Sequence, residues 1–174
     1  MYLENLRRYV RPDGPSIEGW PDPVLLVERE FNCQLPDSYR KCLETFPGGA
    51  LLGMSAETCG VPVKVPGATL SMYESEYIDI STLTGLAKGT LNLFDHTHYV
   101  GRVFFEQRLK FLVFALTSTN DPYLISVDRP TFGRVVFLDA QLAQGPGNVD
   151  DHLYPLADSF EQFIMSWPTT RAGS

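Results

Sequence analysis

Three histidines with neighbouring aspartates have the spacing in this chain best suited to metal chemistry. His96 and His98 stand two apart in the stretch DHTH, so on a β-strand both side chains would face one way and could share a cation. His152 follows Asp150 and Asp151 and could complete such a site from a second loop. Since no other histidine or cysteine has supporting spacing, two polar surface histidines explain the same pattern. We therefore predict no metal and no cofactor, with His96 and His98 as the alternative.

The cysteines and serines offer little for nucleophilic catalysis. Cys33, Cys42 and Cys59 form no close pair, and their odd number leaves one thiol unpaired, which fits a reducing compartment. Cys59 adjoins a glycine in a predicted loop where a reactive thiol could lie, but no partner motif accompanies it, so we predict a packed small residue. The sequence has no G-x-S-x-G motif and no phosphate-binding glycine loop. We predict that the protein is not an enzyme.

The charge of the chain favours a protein partner over a nucleic acid. Its 174 residues include 21 acidic and 14 basic ones, for a net charge of −7, whereas binding to nucleic acid needs clusters of lysine and arginine. The longest apolar run, FLVFAL, is too short to cross a bilayer, and the N-terminus lacks a secretory pattern, so we expect a cytoplasmic protein without membrane contact. An acidic surface attracts a basic partner, although it can also serve solubility alone.

The stretch SMYESEYIDIS, residues 71–81, has the best composition for contact with a basic partner. Its tyrosines offer rigid contact area, and its carboxylates would meet basic side chains. The same charges could instead protect an exposed strand edge. The predicted partner-binding residues are Tyr73, Glu74, Glu76, Tyr77, Asp79, Asp95 and Asp121.

The elements that position these residues begin with helices. Apolar spacing predicts a helix within residues 2–10, then a connector rich in proline and glycine, and then a helix over 24–31 with Asp22 as its N-cap. A third helix is predicted to start at Pro36 and to end before the pair Gly48-Gly49. Short β-rich segments follow, namely ALLGMS, VPVKV, TLSMY, YIDIS, LNLF, FLVFALT, PYLISVD and GRVVFLDA.

Two segments after the first strands complete the pattern. Residues 95–108 fit either a helix capped by Asp95 or a strand. The stretch YPLADSFEQFIMSW, residues 154–167, fits a C-terminal helix with Asp158 or Ser159 near its start. Helices, a run of strands and a final helix predict a single α+β domain. We expect N-terminal helices followed by a twisted, mainly antiparallel sheet, with the C-terminal helix packed on it.

The order of several motifs resembles the SUKH superfamily, the Smi/Knr-type domain. The first motif is VEREFNCQLPDSYRKCLETFPGG, and the ending is YLISVDRPTFGRVVFLDA followed by LADSFEQFI. A glycine-aspartate turn that is common in the family is replaced here by Asn120-Asp121. The positions that match the signature are Leu35, Pro36, Tyr39, Gly48, Gly49, Asp128, Ser159, Phe160 and Phe163.

The resemblance implies a binding domain over residues 24–167, with an N-terminal extension over 1–23 and a flexible tail over 168–174. Bacterial members are largely immunity proteins that neutralise a toxin domain, often a nuclease, and fungal relatives regulate cell-wall synthesis through protein contacts. We therefore expect structural roles for the signature residues, and a monomer or weak dimer that binds a basic toxin domain. The alternatives are a regulatory module that binds an endogenous protein and a small metal-dependent enzyme.

Overall fold

The computed structural model describes residues 1–12, 19, 21–53, 60–66, 77–88 and 91–168. The helices in these ranges are α1 (Tyr2–Arg7), α2 (Pro23–Phe31), α3 (Asp37–Thr45), α4 (Leu93–Phe104), α5 (Ala140–Ala143) and α6 (Phe160–Met165). The strands are β1 (Ala50–Leu51), β2 (Val61–Lys64), β3 (Tyr77–Ile80), β4 (Thr82–Leu83), β5 (Phe111–Leu116), β6 (Pro122–Ser126), β7 (Val135–Leu138) and β8 (Leu153–Ala157). None of the described helices is long and apolar enough to span a membrane. The predicted α+β fold class is confirmed.

Six strands form one antiparallel sheet in the order β1-β4-β5-β6-β7-β8, while β2 and β3 pair separately. Strands β5 and β6 pair as an antiparallel hairpin, and so do β6 and β7. The register of β5 shifts between Val113 and Ala115. A bulge of this kind changes the alternation of side chains across a sheet. Phe114 and Ala115 therefore belong to a first hydrophobic core, and Val113 and Leu116 belong to a second one.

Helices cover both faces of this sheet. On one face, Phe160 and Phe163 of α6 lie edge-on to the ring of Phe114, with ring centroids 5.3 and 5.7 Å away. On the other face, Val100 and Phe104 of α4 pack over the second core. Strands that are buried on both sides carry continuous apolar runs, as FLVFAL in β5 and VVFL in β7 show.

Helix α1 belongs to the first core and contacts α6. The Asn5 side-chain amide donates to the carbonyl of Ile164 at 2.8 Å, and the Tyr9 and Trp167 rings meet edge-on with centroids 5.6 Å apart. Helix α1 and the residues that follow it are therefore held by α6 and the residues that follow that helix.

Two sequence predictions in the region of α4 need correction. LNLF was predicted as a strand, but it leads into α4, and the ambiguous residues 95–108 are helical as far as Phe104. The cap is Asn92 rather than Asp95, because the Asn92 side chain accepts the Asp95 backbone N–H at 2.9 Å. The segment is a helix because its apolar residues pack on the second core. This packing overrides the local preference of aromatic and β-branched residues for a strand.

The predicted start of the C-terminal helix near Asp158 or Ser159 is confirmed, but the residues that lead into it form a strand. Residues 154–157 belong to β8, which pairs with β7 through Leu138 and Leu153, and α6 starts only at Phe160 with Ser159 as its N-cap. Pairing with β7 gives the backbone of this segment hydrogen-bond partners that the helical pattern in the sequence does not anticipate. Pro36 likewise stands at the N-cap of α3, outside the helix, and makes no side-chain cap there.

Candidate partner-binding site

The turn between β5 and β6 is held by a dense set of hydrogen bonds. The Thr117 hydroxyl accepts the Asp121 backbone N–H at 2.9 Å, and the Thr119 hydroxyl donates to the Asp121 carboxylate at 2.9 Å. Asn120 adopts a left-handed φ of 68°, which asparagine tolerates better than most residues. The departure from the glycine-aspartate turn is therefore compatible with the backbone that this turn adopts.

Asp79 fixes the same turn from outside. Its carboxylate accepts the Ser118 backbone N–H at 2.9 Å and the Ser118 hydroxyl at 3.1 Å. The Tyr123 hydroxyl donates to the backbone carbonyl of Asp79 at 3.3 Å. Two of the predicted partner-binding carboxylates, those of Asp79 and Asp121, thus meet at one turn and hold it in place.

A groove of about 670 Å³ lies between α4, the β5–β6 turn and α5, and we call it the α4–α5 groove. Its apolar floor includes Val100, Phe104 and Leu116, which belong to the second core. Tyr99 stands at its edge with 46% of its surface exposed. The polar lining consists of His96, Thr119, Asn120, Asp121, Gln141 and Gln144.

The two histidines of the alternative metal site face different cavities. They lie two apart on α4, and residues with this spacing do not share a helix face. His96 lines the α4–α5 groove, whereas His98 lines a cavity of about 690 Å³ beside α2, where its Nε2 is 2.9 Å from the carboxylate of Glu30. No group of three or more histidine, cysteine or acidic side chains with metal-binding geometry occurs within the described ranges.

The other predicted partner-binding residues are more scattered. Tyr77 is 57% exposed on β3, and Asp95 is exposed in the first turn of α4 beside the cavity next to α2. The predicted residues Tyr73, Glu74 and Glu76 lie outside the described residues, as does Cys59.

The first signature motif builds the junction between α2 and α3. One oxygen of the Glu28 carboxylate accepts both the Leu35 backbone N–H at 2.9 Å and an Arg40 side-chain N–H at 2.6 Å. Leu35 and Pro36 are buried, and the Tyr39 ring is packed between Phe114 and Phe160. These residues hold the helices to the sheet and leave little of their surface for a partner.

Replacing Glu28 with alanine is expected to lower the free energy of unfolding by about 1.5 kcal/mol, because a charged group loses two hydrogen bonds at a partly exposed site. Chemical denaturation of the purified variants measures the change. Glu30→Ala is the matched control, since Glu30 is exposed on the same helix and should change stability by less than about 0.5 kcal/mol. Equal losses from both variants would contradict the role assigned to Glu28.

The glycine pair of the motif lets two backbones approach closely. Gly49 has a φ of +82°, and a Cβ at this position would meet the backbone of Leu83, Thr84 and Gly85. Gly85 is equally crowded, because a Cβ there would meet the backbone of Gly48 and Gly49. The turn after α3 therefore lies directly on the end of β4.

The signature residues nearer the C-terminus form caps and core. The Asp128 carboxylate accepts the Arg129 backbone N–H at 3.0 Å and starts a single 3-10 turn, and the Ser159 hydroxyl accepts the Gln162 N–H at 3.2 Å. Phe160 and Phe163 are completely buried. Like the first motif, these residues take part in the architecture of the domain.

The described thiols have environments that disfavour the reactive thiolate. Burial raises the pKa of Cys42 far above its ordinary value. Burial, with a smaller contribution from the nearby Glu28 carboxylate, raises the pKa of Cys33 to about 11. Reactive cysteines have a lowered pKa, so Cys33 and Cys42 are packed thiols.

This α+β domain, with its helix-LP-helix unit and its aromatic C-terminal helix, belongs to the SMI1 / KNR4 family (SUKH-1), whose family model matches residues 21–166. Membership confirms the resemblance found in the sequence and is consistent with an immunity-protein-like, protein-binding domain. A comparison with curated proteins gave no match.

Sequence reasoning did not single out Tyr99, Gln141 or Gln144 as site residues. An asparagine cap at Asn92 followed by apolar residues at helical spacing was the signal that could have placed Tyr99 on a helix face. Helix α5 has only four residues, too few for a periodic pattern. Its approach to α4 is a tertiary contact that no local motif encodes.

Proposed function

We propose that the protein is a non-enzymatic immunity protein that binds a basic toxin domain, such as a nuclease, and blocks its active surface. The observation that carries this proposal is the match of the family model to residues 21–166. Neutralisation of this kind requires surface complementarity and slow dissociation, and it needs no cofactor.

The distribution of charge supports a basic partner. Residues 111–128 and 135–168 contain no lysine or arginine. Asp121 lines the α4–α5 groove, Asp139 caps α5, and the 3-10 turn Val149–His152, with Asp150 and Asp151, contacts α5. The surface around α5 is therefore acidic and would accelerate the encounter with a basic domain.

The predicted contact residues enter this proposal in different ways. Tyr77 and Asp95 are exposed and can touch a partner directly. Asp79 acts by holding the β5–β6 turn in a fixed shape, and Asp121 both holds this turn and lines the α4–α5 groove. Tyr73, Glu74 and Glu76 remain proposed contacts from their sequence alone.

Co-purification from the native lysate tests the function. The tagged protein is expected to retain a basic toxin domain at near one-to-one stoichiometry, identified by mass spectrometry. Co-expression of that domain with the protein should then restore the growth of cells that the domain alone kills. Retention of an endogenous wall or signalling protein in place of a toxin would overturn the proposal in favour of a regulatory module.

The association rate with the toxin domain is expected to fall about tenfold or more between about 0.05 M and 0.5 M salt, because mobile ions screen long-range attraction. Stopped-flow mixing measures this rate, and the dissociation rate should change little. The double variant Asp150→Asn, Asp151→Asn should flatten the salt dependence. Its matched control is Asp37→Asn, Glu44→Gln, which removes two exposed charges from α3. Association independent of salt would refute the electrostatic part of the proposal.

A further inference from the structure

We propose that the α4–α5 groove receives an arginine side chain of the partner. This inference rests on the proposed immunity function and gives that function a defined point of contact. The groove, of about 670 Å³, is large enough for one long side chain together with part of the backbone that carries it.

The floor of the groove suits the aliphatic part of an arginine. Val100, Phe104 and Leu116 are buried residues of the second core, and Pro122 and Ala140 extend the apolar surface on either side. Long basic side chains bury their methylene groups on such surfaces while the charged end seeks polar partners.

The electrostatics of the lining select a cation. Asp121 carries the one formal negative charge among the lining residues, and neither a lysine nor an arginine is among them. The chain on both sides, over 111–128 and 135–168, is likewise free of these cations. The neighbouring cavity beside α2 is different, since Arg102 and Arg108 line it together with Glu30 and Asp95. The formal charge of the groove lining thus favours an arginine, whereas the charges that line the neighbouring cavity cancel.

The polar groups of the lining match a guanidinium better than an ammonium. The amides of Asn120, Gln141 and Gln144 and the carboxylate of Asp121 offer several acceptor oxygens around one space. A guanidinium presents five N–H donors in a plane and is weakly hydrated, so it can use several acceptors at once. Tyr99, half-exposed at the edge, lines the groove as well as the neighbouring cavity, and an aromatic ring is a group on which a guanidinium can stack.

The geometry of the Asp121 acceptor is set before the partner arrives. Asp121 is 7% exposed, and its turn is fixed by Thr117, Thr119 and the Asp79–Ser118 pair. Groups that are already ordered lose little entropy when they bind. A buried, well-packed pocket for an arginine is also where interfaces concentrate their binding energy.

The direct test is a titration of the isotope-labelled protein with N-acetyl-arginine methylamide, followed by NMR. We expect the largest chemical-shift changes at Tyr99, Asn120, Gln141 and Gln144. The citrulline analogue has the same shape without the charge, and it should bind at least about fivefold more weakly. Shifts scattered over the surface, or equal affinity for the two analogues, would overturn the inference.

Two pairs of variants separate the groove from general surface effects. Tyr99→Ala should weaken binding of the arginine analogue at least about fivefold, while Phe132→Ala should not, although both rings are 46% exposed. Gln144→Lys should abolish binding of the arginine analogue. Gln162→Lys adds the same charge on α6 and should leave the affinity for the analogue largely unchanged. Parallel effects within either pair would overturn the groove as the site.

These outcomes are distinguishable from failure of the proposed function. If a toxin domain is captured but the arginine analogue does not bind the groove, the inference is wrong and the immunity function stands. If the analogue binds the groove but the protein retains an endogenous protein and no toxin, the groove stands and the immunity function is wrong.

Discussion

Replacing Phe114 with alanine is expected to lower the free energy of unfolding by about 4 kcal/mol. The Phe114 side chain is completely buried, and its ring contacts the rings of Tyr39, Tyr123, Phe160 and Phe163. Its removal leaves a cavity at the point where α3 and α6 meet the sheet, and it also ends four aromatic contacts. Such a loss is a large share of the roughly 5–15 kcal/mol that stabilises a domain.

Urea denaturation monitored by circular dichroism measures this change, with Phe132→Ala as the matched control. Phe132 is 46% exposed in the β6–β7 connection, so its truncation should alter stability by less than about 0.5 kcal/mol. Phe114→Leu should fall between the two, because it retains much of the buried volume. A loss below about 1.5 kcal/mol for Phe114→Ala would mean that the aromatic cluster is not the centre of the fold.

Gly49→Ala is the second substitution with a large expected effect. It should lower the free energy of unfolding by about 4 kcal/mol or prevent folding altogether. The left-handed backbone alone disfavours alanine by about 1–2 kcal/mol. The added Cβ would also meet the backbone of Leu83, Thr84 and Gly85, none of which is a flexible side-chain end. Strain of this kind can be relieved only by moving the turn away from β4.

Gly101→Ala is the matched control for this substitution. Gly101 lies within α4, and a Cβ there would meet nothing within 4 Å. Alanine at this helical position should raise stability by about 0.5–1 kcal/mol. Thermal unfolding of both variants compares them, and a stable Gly49→Ala protein would show that the close approach of the two backbones is dispensable.

The surroundings of Phe114 and Gly49 show what signature residues contribute to the architecture of the domain. Phe160 and Phe163 complete the aromatic cluster, and the Gly48-Gly49 pair lets the turn after α3 lie on β4. The same architecture leaves α4, the β5–β6 turn and α5 as the walls of a groove. The groove that we propose as a binding site could therefore change its lining while the core residues stay in place.

The sequence by itself determined the family, the fold class and the helices α2 and α3, because these depend on local signals. The Asp22 cap accepts the Leu25 N–H as predicted, and the apolar face of Tyr39, Cys42 and Leu43 is buried. Capping and periodicity act over a few residues, so they can be read directly from the chain.

Only the tertiary structure decided the form of β8, the helical state of α4 and the groove between α4 and α5. Leu153–Ala157 is a strand because it pairs with the edge of β7. Helix α4 is helical because its apolar face packs on the second core. Asp79 holds a turn 39 residues away through Ser118. Pairing and burial of this kind depend on segments that are distant in sequence, which local preferences do not encode.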